Sequence, residues 1–269
     1  MSSGHADAPA AVRAEGRAGF VRRVFGGFLG ALAFLTIVPL PKWLARAAAP
    51  DLDAAVPWFP LIGAAIGATA GGIRAGFDPL IGPGPSTVLA MITLVAVTGA
   101  LHHDGLADTA DGLGVRGDLA RRLAVMRDSA IGAFGVLALV AWGLLLFTAL
   151  QPLTSAQAVK TLIAAGAASR LAILIQGIGA RPARADGLGA SFDVSFVALL
   201  VGATATAAVM LATTGVWRGA VSLGVAIIAA VLTTLSVRRW FGGRTGDTLG
   251  AGAVVIEVAV SLALAAAWQ

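Results

Sequence analysis

Three carboxylates fall close together in the run Leu101-His102-His103-Asp104-Gly105-Leu106-Ala107-Asp108-Thr109-Ala110-Asp111-Gly112. Asp104, Asp108 and Asp111 follow one another at i, i+4 and i+7. A helix turns by about 100° per residue, so all three project from one face within about 60°. Anions on one helical face repel each other, and the first cation after them is Arg116. Such a cluster calls for a cation, and oxygen-only ligands select a hard ion such as Mg2+ or Mn2+. Two other readings compete: a solvated acidic loop, and a proton or ion path of intramembrane carboxylates. A loop does not explain why the aspartates keep helical spacing amid Leu106, Ala107 and Ala110.

Two further stretches carry polar chemistry. Arg121, Arg122 and Arg127 can neutralise phosphate, because guanidinium forks match its oxygens. Asp128 stands just before an apolar run, where it fits either a helix cap or a proton acceptor. Residues 242–247 read Gly-Gly-Arg-Thr-Gly-Asp. The glycines around Arg244, Thr245 and Asp247 could turn backbone N–H groups toward an anion; a plain interhelical turn is the alternative. Glu257 lies inside an apolar segment, where a lone carboxylate is costly, so it is expected to face the interior and meet a cation or donor. Arg170 interrupts another apolar segment and fits a buried partner for an aspartate or simple packing polarity. His102 and His103 fit substrate contact, orientation of an aspartate, or an interfacial cap. The stretch from Arg181 through Arg184 and Asp186 to Phe192 reads more safely as a solvated connection than as a substrate loop.

The frame that must position these residues is set by composition. The chain has 269 residues, of which 58% are hydrophobic and only 12% charged, and its mean hydropathy is +0.87. Soluble domains carry roughly 25% charged residues. The expectation is an all-α, polytopic transmembrane bundle of about seven to eight apolar segments. They are read at 24–40, 55–77, 86–103, 130–150, 157–180, 194–216, 219–237 and 248–268. Gly63, Gly67, Gly71 and Gly72 are read as close helix-packing positions. The absence of cysteine excludes disulfides, thiolate metal sites and cysteine nucleophiles. With three histidines, one of them His5, a multi-histidine metal site is not expected. The net charge of +5 suits anionic lipid or an anionic substrate. No basic stripe with interleaved aromatics points to nucleic acid.

Residues 1–23 read as a flexible or surface-lying tail, followed by one integral membrane catalytic domain over 24–269. Arg22-Arg23 before an apolar stretch resembles an export signal, but the many later apolar segments favour a resident membrane protein. Cations concentrate in the connections near 41–54, 102–129, 181–193 and 238–247, which places these together on the cytoplasmic side. The basic tail joins them there if the first segment, ending at Pro39 and Pro41, re-enters or lies at the interface rather than crossing.

Four stretches in order then resemble the cobalamin synthase, or adenosylcobinamide-GDP ribazoletransferase, family. They are Phe34-Leu35-Thr36-Ile37-Val38-Pro39-Leu40-Pro41, the His-x-Asp-Gly-Leu-Ala-Asp-x-x-Asp-Gly segment at 102–112, Met126-Arg127-Asp128-Ser129 through Gly135, and Gly242 to Ala251. Val254 departs from the pattern, standing where a polar side chain is expected, while Glu257 remains. The core Asp108-Thr109-Ala110-Asp111-Gly112 is also similar to CDP-alcohol phosphotransferases, although the longer pattern beyond Gly112 does not match.

The resemblance implies a reaction: adenosylcobinamide-GDP is joined to α-ribazole or its 5′-phosphate and GMP is released, late in coenzyme B12 assembly. It implies Mg2+ as cofactor and the bacterial cytoplasmic (inner) membrane, with the site on the cytoplasmic side. Asp104, Asp108 and Asp111 would hold the metal. His102, Arg127, Arg244, Thr245 and Glu257 would contact substrate. Asp128 or Asp247 would take the proton of the attacking hydroxyl. The rival readings are a lipid-forming CDP-alcohol phosphotransferase releasing CMP and an ion-coupled transporter. Membrane lipid is an expected partner, nucleic acid is not, and assembly into a homo-oligomer is left open.

Overall fold

In the computed structural model, residues 8–48 and 52–269 are described, with side chains from residue 19 onward except residue 20. Helix is the only extended regular element among them. An apolar chain in lipid must satisfy its backbone hydrogen bonds within each segment, and a helix does so. In chain order the helices are α1 (Ala8–Leu35), α2 (Lys42–Ala45), α3 (Leu52–Ala55), a 3-10 turn (Val56–Trp58), α4 (Phe59–Ile81), α5 (Pro83–Val97), α6 (Leu101–Gly114), α7 (Leu119–Val125), α8 (Ala133–Leu150), α9 (Ser155–Gly179), α10 (Leu188–Ser191), α11 (Phe196–Thr214), α12 (Val216–Phe241) and α13 (Gly246–Trp268).

Among the described residues, six segments are long and apolar enough to cross a membrane: Leu52–Ile81, α8, α9, α11, α12 and α13. The expected segment 86–103 is instead broken. α5 and α6 pass the same test only as a pair, and they are bent by 88° between Val97 and Leu101. The bend is made at Gly99 (φ 59°) and Ala100 (φ 61°), both left-handed. Each helix is about 21–23 Å long at 1.5 Å per residue, short of a roughly 30 Å hydrocarbon core.

α1, which holds the start of the first apolar segment, is not among those six. After Leu35 the amide of Ile37 donates to the Val97 carbonyl at the end of α5 (2.9 Å). By Ala54 the chain has come back to pack its backbone against Gly27. Helix also extends back to Ala8, into the stretch read as a flexible or surface-lying tail; residues 1–7 lie outside the described residues.

α9 and α13 form the centre of the bundle, while α8, α11 and α12 present apolar side chains such as Leu137, Leu200 and Ile228 outward. α4 lies flat against α9. A Cβ on Gly63 or Gly67 would strike the backbone of Gly166 or Leu162, and one on Gly71 would meet Val159. Spacing of four puts these glycines in one stripe, which lets backbones touch in lipid, where no hydrophobic force drives helices together. Gly72 is outside the stripe, exposed with open space around it.

The two ends of the bundle differ. At one end the buried Arg74 donates to Thr87 Oγ1 (2.8 Å), the Leu153 carbonyl (2.9 Å) and Asp78 (3.4 Å). Asp78 also accepts from Ser86 and Ser155. This cluster ties the α4–α5 turn to the α8–α9 turn. At the other end the connections 115–132, 181–193 and 242–245 converge, and the aspartates lie there.

Candidate active site

α6 presents the acidic face that the spacing predicts. Asp104 is exposed, Asp108 half-buried and Asp111 buried. A second helix contributes a fourth carboxylate. Gly105 packs directly on the backbone of Asp247, where a Cβ would come within 3.0 Å of the Asp247 Cα. Gly250 approaches His102 less tightly, one turn further along α13, where a Cβ would stand 3.1 Å from the His102 Cα. Only glycine permits this approach of α6 to α13. Asp247, in the first turn of α13, thus joins Asp104 and Asp108, and the negative charges of Asp104, Asp247 and Asp111 all act on Asp108.

Asp111 has a different position from its two neighbours. Its Oδ2 accepts from the Gly132 amide (2.7 Å) and its Oδ1 from the Gly135 amide (2.8 Å). α8 has Gly132 at its N-cap, with no side-chain cap of its own. Asp111 therefore caps a helix other than its own, satisfying amides that would otherwise be orphaned and meeting the positive end of the α8 dipole. The expectation that Asp128 caps this helix is corrected accordingly. Asp128 is exposed and accepts from the Ala130 amide (3.0 Å), a local turn four residues ahead of the cap.

The arginines divide into two kinds. Arg127 is exposed and holds both oxygens of Asp186 through Nη2 (2.6 and 2.7 Å). Arg184 donates to Asp247 Oδ2 (3.1 Å), and both side chains remain partly open to solvent. Arg184, in the stretch read as a solvated connection, is thus set against the acidic cluster. No signal near it in the sequence marks that role, because its placement depends on a distant loop: Ala183 N donates to the Arg244 carbonyl and Arg244 N to the Arg181 carbonyl (2.9 and 2.8 Å).

Arg244 is the second kind. It is buried, and its guanidinium donates to the carbonyls of Gly177 (2.8 Å), Gly189 (3.1 Å), Ala180 and Phe192, and to Asp193 (2.9 Å). Its donors are committed to the protein, so the expected contact with substrate does not fit its placement. It fastens the 180–193 connection to the end of α9 and the start of α13. Thr245 is likewise engaged. It is the N-cap of α13 in a reciprocal capping box with Thr248, and its hydroxyl also donates to Asp247 (3.3 Å).

His102, His103 and Glu257 lie deeper, inside the bundle rather than at its end. Both histidines are buried, and the His103 ring sits edge-on to Trp142 at 4.4 Å. Glu257 faces Arg170 at 3.7 Å, so the expected interior cation for Glu257 is present, and the partner of Arg170 is this glutamate rather than an aspartate. Direct substrate contact by His102 or Glu257 does not match this depth.

Among the described residues no three His, Asp or Glu side chains stand close enough to form a closed ligand set. The donors at the bundle end are nevertheless carboxylate oxygens that repel one another. Mg2+ commonly takes only one or two carboxylates and completes its shell with water and substrate phosphates. Asp104 and Asp108 suit that chemistry.

Comparison with known proteins agrees with this geometry. The family model for cobalamin-5-phosphate synthase matches residues 27–265. An adenosylcobinamide-GDP ribazoletransferase from Azorhizobium caulinodans is 39% identical over 249 residues, covering 88% of this chain and 94% of its own length. Proteins of the same name from Geotalea daltonii and Desulforamulus reducens are 37% and 34% identical, covering 88% and 87% of this chain and 95% and 94% of their own. No solved structure matches the chain.

Proposed function

Since this chain belongs to the cobalamin-5-phosphate synthase family, we propose that it joins adenosylcobinamide-GDP to α-ribazole or α-ribazole 5′-phosphate, releasing GMP and giving adenosylcobalamin or its 5′-phosphate. The attacking hydroxyl oxygen forms a bond to the corrinoid-side phosphorus, and the bond from that phosphorus to GMP breaks. One observation carries the reading: Asp104, Asp108 and Asp247 converge from two helices at one open end of a membrane bundle, with Arg184 against them. A diphosphate needs its charge neutralised there and its attacker aligned.

Each residue then has a role. Asp104 and Asp108 would hold Mg2+, which when bound neutralises phosphate charge as a Lewis acid. Asp111 was expected to share that role; with each oxygen accepting one amide proton from α8, we assign it first to orienting α6. Arg127 and Arg184 bind non-bridging oxygens of the diphosphate, exchanging Asp186 and Asp247 for substrate. Departure of Arg184 leaves Asp247 without its cation, and Asp247 accepts the hydroxyl proton. Asp128 shapes the turn that leads to the cap of α8.

The site end also carries the basic side chains of Arg116, Arg121, Arg122, Arg181, Arg238 and Arg239. That favours the cytoplasmic face of a bacterial inner membrane, where nucleotide-activated substrate and Mg2+ are at hand. The test is direct. Purified protein in lipid vesicles is given labelled adenosylcobinamide-GDP, α-ribazole and Mg2+, and separately a CDP-alcohol pair. Release of GMP and not CMP is expected, and Asp108→Asn should abolish it. Release of CMP, or undiminished turnover by Asp108→Asn, overturns the reading.

A further inference from the structure

Polar side chains also meet where α6, α9 and α13 cross, in the middle of apolar helices. Thr98, His102, His103, Arg170 and Glu257 line a cavity of about 10 Å3 there. The two histidines, Arg170 and Glu257 are 5%, 7%, 3% and 5% exposed. At 3.7 Å the Arg170–Glu257 contact is an ion pair but too long for a hydrogen bond. Arg170 Nη1 instead donates to the neighbouring Ser169 hydroxyl (2.6 Å). Arg170 Nε, Glu257 Oε1, His102 Nδ1 and both ring nitrogens of His103 make no hydrogen bond within the protein, and the Trp142 indole N–H, likewise unpaired, faces Glu257.

An unpaired buried polar atom is costly, and more so if charged. Several such atoms around one cavity are therefore not sustained dry. A single water needs a cavity of roughly 10–15 Å3 and makes about three hydrogen bonds. We infer that this chamber is an internal water site, in which one ordered water accepts from Arg170 Nε and donates to Glu257 Oε1 and a histidine nitrogen. The water joins three helices in the first turn of α6, where His102 and His103 precede Asp104. On the reading of Asp104 and Asp108 given above, Arg170 and Glu257 are positioning residues for the acidic face.

Hydroxyl-radical labelling by a short X-ray pulse reads internal water directly, because radicals form from bound water beside the side chain they oxidise. The full chain in lipid nanodiscs is exposed in 18O water and oxidation located by mass spectrometry. Met210, fully buried, is the dry reference. His102 and His103 are expected to label about tenfold faster than Met210, as residues touching water. Labelling at the Met210 rate overturns the water site. Glu257→Gln keeps an acceptor, and should keep both the labelling and kcat within about threefold. Glu257→Leu should lose the labelling and lower kcat about tenfold with KM nearly unchanged. Should Glu257→Leu not fold, Val254→Leu, which crowds the same chamber, is expected to give the same loss of labelling and kcat. Undiminished labelling or kcat in the folded variant overturns the inference. A wild-type chain that labels yet releases no GMP faults the assigned reaction and leaves the water site standing.

Discussion

Asp111 on α6 closes the first turn of α8 by accepting from Gly135, at 2.8 Å, while its other oxygen takes the Gly132 amide at 2.7 Å. A helix carrying two free aspartates is thereby locked through the third to a neighbouring span. Charge-assisted hydrogen bonds to helix-terminal amides are worth about 2–3 kcal/mol together. Asp111→Ala should lower the thermal unfolding midpoint in detergent accordingly, and Asp111→Asn, which keeps one acceptor, by about half as much. Gly135→Ala should be destabilising as well, because its Cβ would meet the Asp111 carboxylate. An unchanged midpoint in Asp111→Ala would remove the capping role.

Arg127 and Arg244 should separate cleanly. The exposed Arg127–Asp186 pair contributes at most about 1 kcal/mol, so Arg127→Ala should keep its unfolding midpoint while KM for the diphosphate substrate rises about tenfold. Arg244 serves four backbone carbonyls and Asp193 from a buried position. Arg244→Ala should cost about 3–5 kcal/mol, and Arg244→Lys should not restore it, because a point charge cannot replace a fork. Size-exclusion profiles after graded heating measure both. A stable Arg244→Ala with raised KM would return that residue to the substrate.

The sequence makes some of this legible, for physical reasons. Lipid demands length and apolarity of each span, and both are local, so six of the expected segments appear where composition puts them. Helical periodicity is equally local, so the face of Asp104, Asp108 and Asp111 and the stripe of Gly63, Gly67 and Gly71 can be read directly. Glu257 announces a partner because a lone carboxylate is costly in lipid, and Arg170 supplies it. The roles of Asp111, Arg184 and Arg244 are not legible. Each depends on an acceptor or donor brought from another part of the chain: Gly135, Asp247 and Gly189. The break in the 86–103 segment is hidden for a different reason. Ala100 gives no sign in the sequence that it adopts a left-handed conformation.

Arg184 and Asp247 should divide the kinetics between them. If Arg184 leaves Asp247 for substrate phosphate, Arg184→Ala should raise KM about tenfold with a smaller effect on kcat. Asp247→Asn should lower kcat by about 10²–10⁴, the contribution of a positioned proton acceptor. Stopped-time GMP release over a substrate series separates the two parameters. The opposite division would exchange the roles.

Ala100 carries strain that glycine would relieve. A left-handed alanine costs about 1–2 kcal/mol relative to its preferred backbone, and the residue has φ 61° beside Gly99 at φ 59°. Ala100→Gly keeps the bend between α5 and α6 without that cost. It should raise the unfolding midpoint by the equivalent of about 1 kcal/mol, less the entropy of the freer unfolded chain. Ala100→Val should do the reverse, since a β-branched side chain tolerates positive φ least. A lower midpoint for Ala100→Gly would mean that the turn relaxes to a right-handed form in the membrane.

The division of labour within the acidic face predicts an asymmetric metal response. Asp104 is exposed and Asp108 half-buried at the open end, whereas both oxygens of Asp111 are held by amides of α8. Mn2+ binding, followed by spin resonance on the purified chain, should weaken about tenfold or more in Asp104→Asn and in Asp108→Asn, each removing one of two anionic ligands. Asp111→Asn keeps one oxygen as an acceptor and should alter Mn2+ affinity less than either, while lowering the unfolding midpoint more. Because the shell of such an ion is completed by phosphate oxygens, adding adenosylcobinamide-GDP should tighten Mn2+ binding in the wild type and in Asp111→Asn alike. Equal loss of affinity in all three variants would place Asp111 among the ligands, and the cap on α8 would then be what aims it.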